Sequence, residues 1–154
     1  MLDKLRTLYQ RAKHDDFESA KVIDFLLRDR DNASSVMAVM KKARDSARTA
    51  RTALTREVWE ATNESWMTLK AAMAKPVKEQ DLPETLGLIR QQSALVRGAT
   101  LGTMLRNDGF NFLRLGSFLE RADSTARILD VKYYLLLPSV ALIGSSVDNV
   151  QWET

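Results

Sequence analysis

A chain of 154 residues, 45% apolar and 28% charged, is long enough to bury a hydrophobic core and ordinary for a globular protein. It has no cysteine, which excludes disulfides, thiolate metal sites and a cysteine nucleophile, and its single histidine, His14, cannot build a His-rich metal site within one chain. The net charge of +3 is a mild excess with the two signs interleaved, which disfavours nucleic acid as a partner because that binding asks for a concentrated basic face.

No stretch approaches the roughly 20 apolar residues that span a bilayer, and the opening MLDKLRTLYQRAKHDD lacks the apolar segment of a signal peptide. The expectation is a cytoplasmic protein with no membrane partner. Six glycines and three prolines are few for this length, so tight turns are few and long helices are favoured over short strands.

In chain order, residues 1–13 and 16–28 read as one or two short helices, with Asp15 or Asp16 placed to cap FESAKVIDFLLR. RDRDNASS breaks the pattern, and Asn32 or Ser34 can cap the helix of about 34–53. Its stripe is Met40, Ala43, Ala47, Ala50 and Leu54, small enough for a close helical neighbour. Thr55 is placed to cap the next helix, about 56–74, whose stripe of Trp59, Thr62, Trp66, Leu69 and Met73 makes the two tryptophans core anchors.

AKPVKEQDLP holds two prolines and is expected to be a mobile loop. A helix of about 83–105 follows, with a rather polar stripe (Leu86, Ile89, Ser93, Val96, Thr100, Thr103) and a second one through Leu88, Leu95 and Leu101. RNDG at 106–109 reads as a C-cap and turn. The last helix, about 110–137, repeats Phe112, Leu115, Leu119, Ala122, Ala126, Leu129, Tyr133 and Leu136 at alternating helical spacing, the pattern of bundle packing, and Pro138 ends it. These elements predict an all-α, up-and-down helical bundle of four to five helices, a single domain over 1–139 followed by an irregular tail over 140–154.

The charges beside the stripes are patterned. Glu120, Asp123, Arg127 and Asp130 each follow a stripe residue of the last helix, so they are expected to lie partly exposed beside its seam, with Arg127 within reach of Asp123 and Asp130. The same offset on the 34–53 helix gives Lys41, Arg44, Arg48 and Arg51. Should the two helices pack, Arg44, Arg48 and Arg51 are the candidate ion-pair partners of those carboxylates through Arg–carboxylate forks.

The bland reading of these charges is a structural ion network that fixes helix register. The functional one is a polar cleft around Glu120 and Arg121, which point about 100° apart on a helix. No metal site is expected, since bundle di-metal sites pair carboxylates with histidines and the last three helices have none. Glu18, Asp24, Glu57, Glu60, Glu64 and Glu120 could each serve acid/base chemistry, and nothing singles out a pair. Gly-rich phosphate loops are missing from the sequence, so no nucleotide cofactor is implied, and the catalytic residues, if the chain is an enzyme, stay unknown. Lys41, Lys42, Arg44, Arg48 and Arg51 would be the contacts of a nucleic-acid binder, the weakest of the three readings.

The segment FLRLGSFLERADSTARILDVKYYLLLPS (112–139) resembles the Alpha-E domain family, with its ER motif at Glu120-Arg121. The likeness continues through RGATLGTMLRNDGF (97–110), EVWEATNESW (57–66), ARDSARTAR (43–51), FLLRDRDNASS (25–35) and the closing DNVQWET. The family as a whole runs to about twice this length, so the resemblance makes this chain a central portion or a shortened member, and exposed apolar surface would then favour a homo-oligomer.

The resemblance implies, as motif residues and possible binding residues, Arg97, Arg114, Glu120, Arg121, Asp123, Arg127 and Asp130. It also implies a bacterial helical accessory or interaction protein associated with an ATP-grasp-type peptide ligase and a transglutaminase-like protein, leaning away from enzymatic activity. The alternative is a small-molecule or peptide binder, or an enzyme, using a polar cleft around the ER motif.

Overall fold

The computed structural model describes residues 18–136, with side chains to Leu129. Five α-helices follow one another: α1 (Ser19–Leu27), α2 (Val36–Thr49), α3 (Arg56–Ala72), α4 (Leu82–Thr103) and α5 (Asp108–Leu136), with short 3₁₀ turns at Arg51–Ala53 and Glu79–Asp81. No strand occurs among the described residues, and the architecture is the expected all-α helical bundle. Asp15, Asp16, Pro138 and the tail over 140–154 lie outside the described residues. The chain forms two compact units, the first ending at Asn111 and the second taking up α5 from Phe112.

Local chemistry sets the helix ends of the first unit. Thr55 caps α3 as expected, its Oγ1 accepting from Val58 N. Thr103 Oγ1 donates to Ala99 O, which leaves Thr55 to donate across 2.7 Å to Thr103 and join the start of α3 to the end of α4. The cap of α2 is Ser35, not Asn32 or Ser34. Ser35 is fully buried, accepts from Ala38 N at 3.2 Å and donates to Asp29 O at 2.5 Å. Asn32 is spent instead on the end of α1, donating to Phe25 O, and on its own turn, accepting from Ser34 N. RNDG is not a C-cap. Met104 closes α4, and Asn107 caps α5 by accepting from Phe110 N at 3.2 Å.

Successive helices of the first unit run antiparallel, as their residue pairings show. Arg44 of α2 bonds Asn63 of α3 while Met37 and Met40 pack near Leu69 and Met73. Along α3 and α4, Val58 meets Met104, Ser65 meets Gln92, and Leu69 lies near Leu88. One core cluster joins Ile23 and Leu27 of α1 to Leu69 and Met73 of α3, with Val36, Leu82 and Ile89 packed against it. Leu69, 1% exposed, is its centre, and burying it stabilises the fold by about 1.5–3 kcal/mol. A second cluster of Val58, Met104 and Phe110 closes the other end.

The AKPVKEQDLP segment departs from the mobile loop expected of it. Val77 is buried in the first core cluster, and Ser19 Oγ donates to Glu79 Oε1 at 3.3 Å. Arg28, at the C-cap of α1, donates through Nε to Met73 O at 2.9 Å and through a second nitrogen to Ala74 O at 3.5 Å, while Asp24 holds the guanidinium from below. A cation thereby sits on carbonyls that the end of α3 leaves without helical partners.

Of the predicted α3 stripe, Thr62, Leu69 and Met73 are buried as expected, and only the two tryptophans fall short of the core. Val58, Ala61, Thr62, Ser65 and Leu69 are buried, whereas Trp59 and Trp66 are half-buried at its margin. Thr62 turns its hydroxyl back to Val58 O at 2.7 Å. Opposite Ser65, the only buried residue of α4 is a polar one, Gln92, whose Oε1 accepts from Ser65 Oγ at 3.0 Å. No helix among the described residues is long and apolar enough to cross a membrane.

A Ser65→Ala substitution strips Gln92 Oε1 of its buried donor, and is expected to cost about 1–3 kcal/mol in denaturant unfolding. Ser65→Ala combined with Gln92→Leu should recover much of that loss. A double-mutant cycle with no coupling between the two positions would show that the pair does not hold the interface.

Candidate functional site

α5 carries the ER motif, and the side chains described on it from Asn111 to Leu129 are exposed except Arg114, which is half-buried. The apolar stripe predicted to be a buried seam is open: Phe112 is 73%, Leu115 52% and Leu119 62% exposed. A heptad pattern records the capacity of a helix to pack, and says nothing of where its partner lies. Apolar side chains also sit off the stripe, at Leu113, Phe118 and Ile128, so more than one face of α5 is apolar.

Two different flanks border the stripe. Positions 116, 120, 123 and 127 form one, and there Arg127 Nε donates to Asp123 Oδ2 at 2.6 Å, one helical turn away. That bond and the nearby carboxylate hold the Arg127 guanidinium above its already high ordinary value. Glu120 Oε1 accepts from Ser124 Oγ at 3.1 Å. Positions 114, 118, 121, 125 and 128 form the other flank, where the Arg114 guanidinium lies 4.7 Å from the centre of the Phe118 ring. Arg121 is exposed on this flank, its backbone carbonyl accepting from Thr125 Oγ1. The two letters of the ER motif thus face different ways, Glu120 toward the acidic flank and Arg121 toward the aromatic one.

The remaining motif residues are distributed. Arg97 is exposed on α4, in the first unit, and the Asp130 side chain lies outside the described residues. Of the candidate ion-pair partners, half-buried Arg44 donates to Asn63 Oδ1 at 2.7 Å, and Arg51 lies over the Trp59 ring at 5.3 Å. Arg48 is exposed and forms no hydrogen bond or ion pair among the described residues. Its charge is felt at Asp45, whose carboxyl is held below the ordinary range, first by the hydrogen bond from Lys41 and then by the charges of Lys41, Arg44 and Arg48. Elsewhere a second pair of this kind joins Arg56 to Glu60, again one turn apart on the surface. Among the described residues no three histidine or carboxylate groups converge as metal ligands.

Sequence reasoning missed the buried Ser65–Gln92 pair, the Arg28 clamp and the burial of Ser35. The signal for the first was Gln92 itself, a polar residue that falls between Leu88 and Leu95 on the second stripe of α4 rather than on the polar one. The other two depend on turns that bring residues 28 and 73, or 29 and 35, together.

An all-α bundle whose final helix displays a Glu-Arg pair on its surface defines the class: a helical domain marked by an ER motif. The Alpha-E family, described as "a predicted alpha-helical domain with a conserved ER motif", matches residues 1–154, and the chain belongs to it. No curated protein and no solved structure matches the chain.

Two measurements follow from this geometry. Because Glu120 meets only a serine one turn away on an exposed face, Glu120→Gln is expected to shift the thermal midpoint by no more than about 2 °C; a loss of many degrees would give Glu120 a structural role. Asp45 binds its proton less readily folded than unfolded, so its contribution to stability is present at neutral pH and fades as pH falls through its depressed value. In carboxyl NMR titrations, Lys41→Met should raise the Asp45 midpoint toward the ordinary carboxylate range, and an unchanged midpoint would rule out the Lys41 hydrogen bond as the cause.

Proposed function

We propose that the chain is a non-catalytic accessory subunit of the bacterial cytoplasm, docking an ATP-grasp-type peptide ligase in systems that also include a transglutaminase-like protein. The observation that carries this reading is the aromatic flank of α5. Arg114 stacked on Phe118, with Arg121 one turn further and Ile128 71% exposed, presents the residue types that dominate protein interfaces. A planar guanidinium already held against a ring loses little side-chain freedom on docking, so more of the contact energy appears as affinity. The choice of partner follows only from what the resemblance to the Alpha-E family implies, an accessory protein beside such a ligase.

The reading is tested with the purified ligase. Isothermal calorimetry should show binding to the intact chain, weakened at least about tenfold by Phe118→Ala and by Arg121→Ala, with circular dichroism unchanged. Absence of binding, or binding indifferent to both substitutions, overturns the proposal. A small-molecule ligand lost with Glu120→Gln would put the polar-site alternative in its place.

A further inference from the structure

Two helices of this chain expose complementary faces. α2 has no buried residue at all, and Lys41, Arg44, Arg48 and Arg51 follow one another along it and the next turn at alternating helical spacing. Three of these cations are engaged: Lys41 with Asp45, Arg44 with Asn63, Arg51 over Trp59. Arg48, at the middle of the row, has no such partner among the described residues. α5 in turn exposes Leu115 and Leu119 beside an acidic flank in which, among the described residues, Glu120 meets no cation and Asp123 meets only its own-helix Arg127.

We propose that a second copy of this chain covers these faces, α5 of one copy lying on α2 of the other, with Glu120 of one opposite Arg48 of its mate. Two features of the molecule support a second copy as the occupant. The first is charge complementarity in register. Whichever way two packed helices run, setting Arg48 against Glu120 brings the cation one turn away, Arg44 or Arg51, opposite Asp123. The second is extent. The exposed apolar side chains from Phe112 to Leu129 form a larger face than monomers normally leave open. A two-fold axis repeats the contact, and two copies of it count toward the roughly 1,200–2,000 Å² of buried area that a stable pair needs.

The contact uses the acidic flank and the apolar stripe of α5 and leaves Arg114, Phe118 and Arg121 untouched. It is therefore independent of the ligase reading, and either can fail alone.

The experiment is light scattering on the eluting protein at low salt, with circular dichroism to confirm that each variant is folded. The wild-type chain should elute at twice its 17.4 kDa mass. Arg48→Glu and Glu120→Arg should each dissociate to monomers, because each sets like charges opposite each other in both copies of the contact. An equimolar mixture of the two variants should recover the dimer, since every contact in the mixed pair is then either native or swapped. A monomeric wild-type chain, single variants that remain dimeric, or a mixture that stays monomeric would overturn the proposal.

Discussion

The packing of α3 against α4 is the constraint on which the first unit rests. Leu69 is shut away at its centre, and one turn before it Ser65 reaches Gln92 across the interface. An apolar interface alone tolerates sliding by a turn, since leucine meets leucine equally well in several registers. A hydroxyl and a carboxamide enclosed together do not, because a slipped register leaves both without partners in a medium that solvates neither. The pair therefore contributes more to which alignment forms than to how tightly it holds. With that alignment fixed, Val58 arrives at Met104 and Phe110, the Thr55–Thr103 bond closes one end, and Val77 closes the other.

From that frame α5 begins with Phe110 in the core and Asn107 capping its first turn. From Asn111 to Leu129 the side chains are exposed except half-buried Arg114, and Asp123 and Arg127 pair one turn apart. Such pairs, like Lys41–Asp45 and Arg56–Glu60 on α2 and α3, lie in water and add little to stability. A family motif sited among such pairs on an open helix differs from a motif buried in a core, where packing would explain the residue. On an open helix the explanation lies with whatever meets that surface.

Much of the architecture was legible because its signals are local. Thr55 followed by REVWE marks a helix start through a single hydroxyl, and the run from 108 to 136 carries a period too regular to be anything but a helix. Misreadings came where one residue competes with its neighbours. Asn32 and Ser34 looked like caps, yet Asn32 serves the turn before and Ser35 takes the cap because it can donate to Asp29 as well. On α3 the stripe held at Thr62, Leu69 and Met73 but not at Trp59 and Trp66, since large rings at a margin mimic a core position in any count of apolar spacing. Helical spacing sets Glu120, Asp123 and Arg127 along one flank of α5. What faces it is a matter of tertiary placement, which spacing along one chain does not encode.

The Arg28 clamp ties together residues 45 apart, and this has consequences for the order in which the chain assembles. The carbonyls of Met73 and Ala74 come within reach of Arg28 only once α3 has packed against α1, so the bond cannot help to nucleate α3. It acts as a late lock, closing a long loop after the entropy of closure has been met by Leu27 against Leu69 and Met73. Contacts made after the transition state slow opening without hastening closure, so the guanidinium governs how long α1 stays seated rather than how fast it arrives.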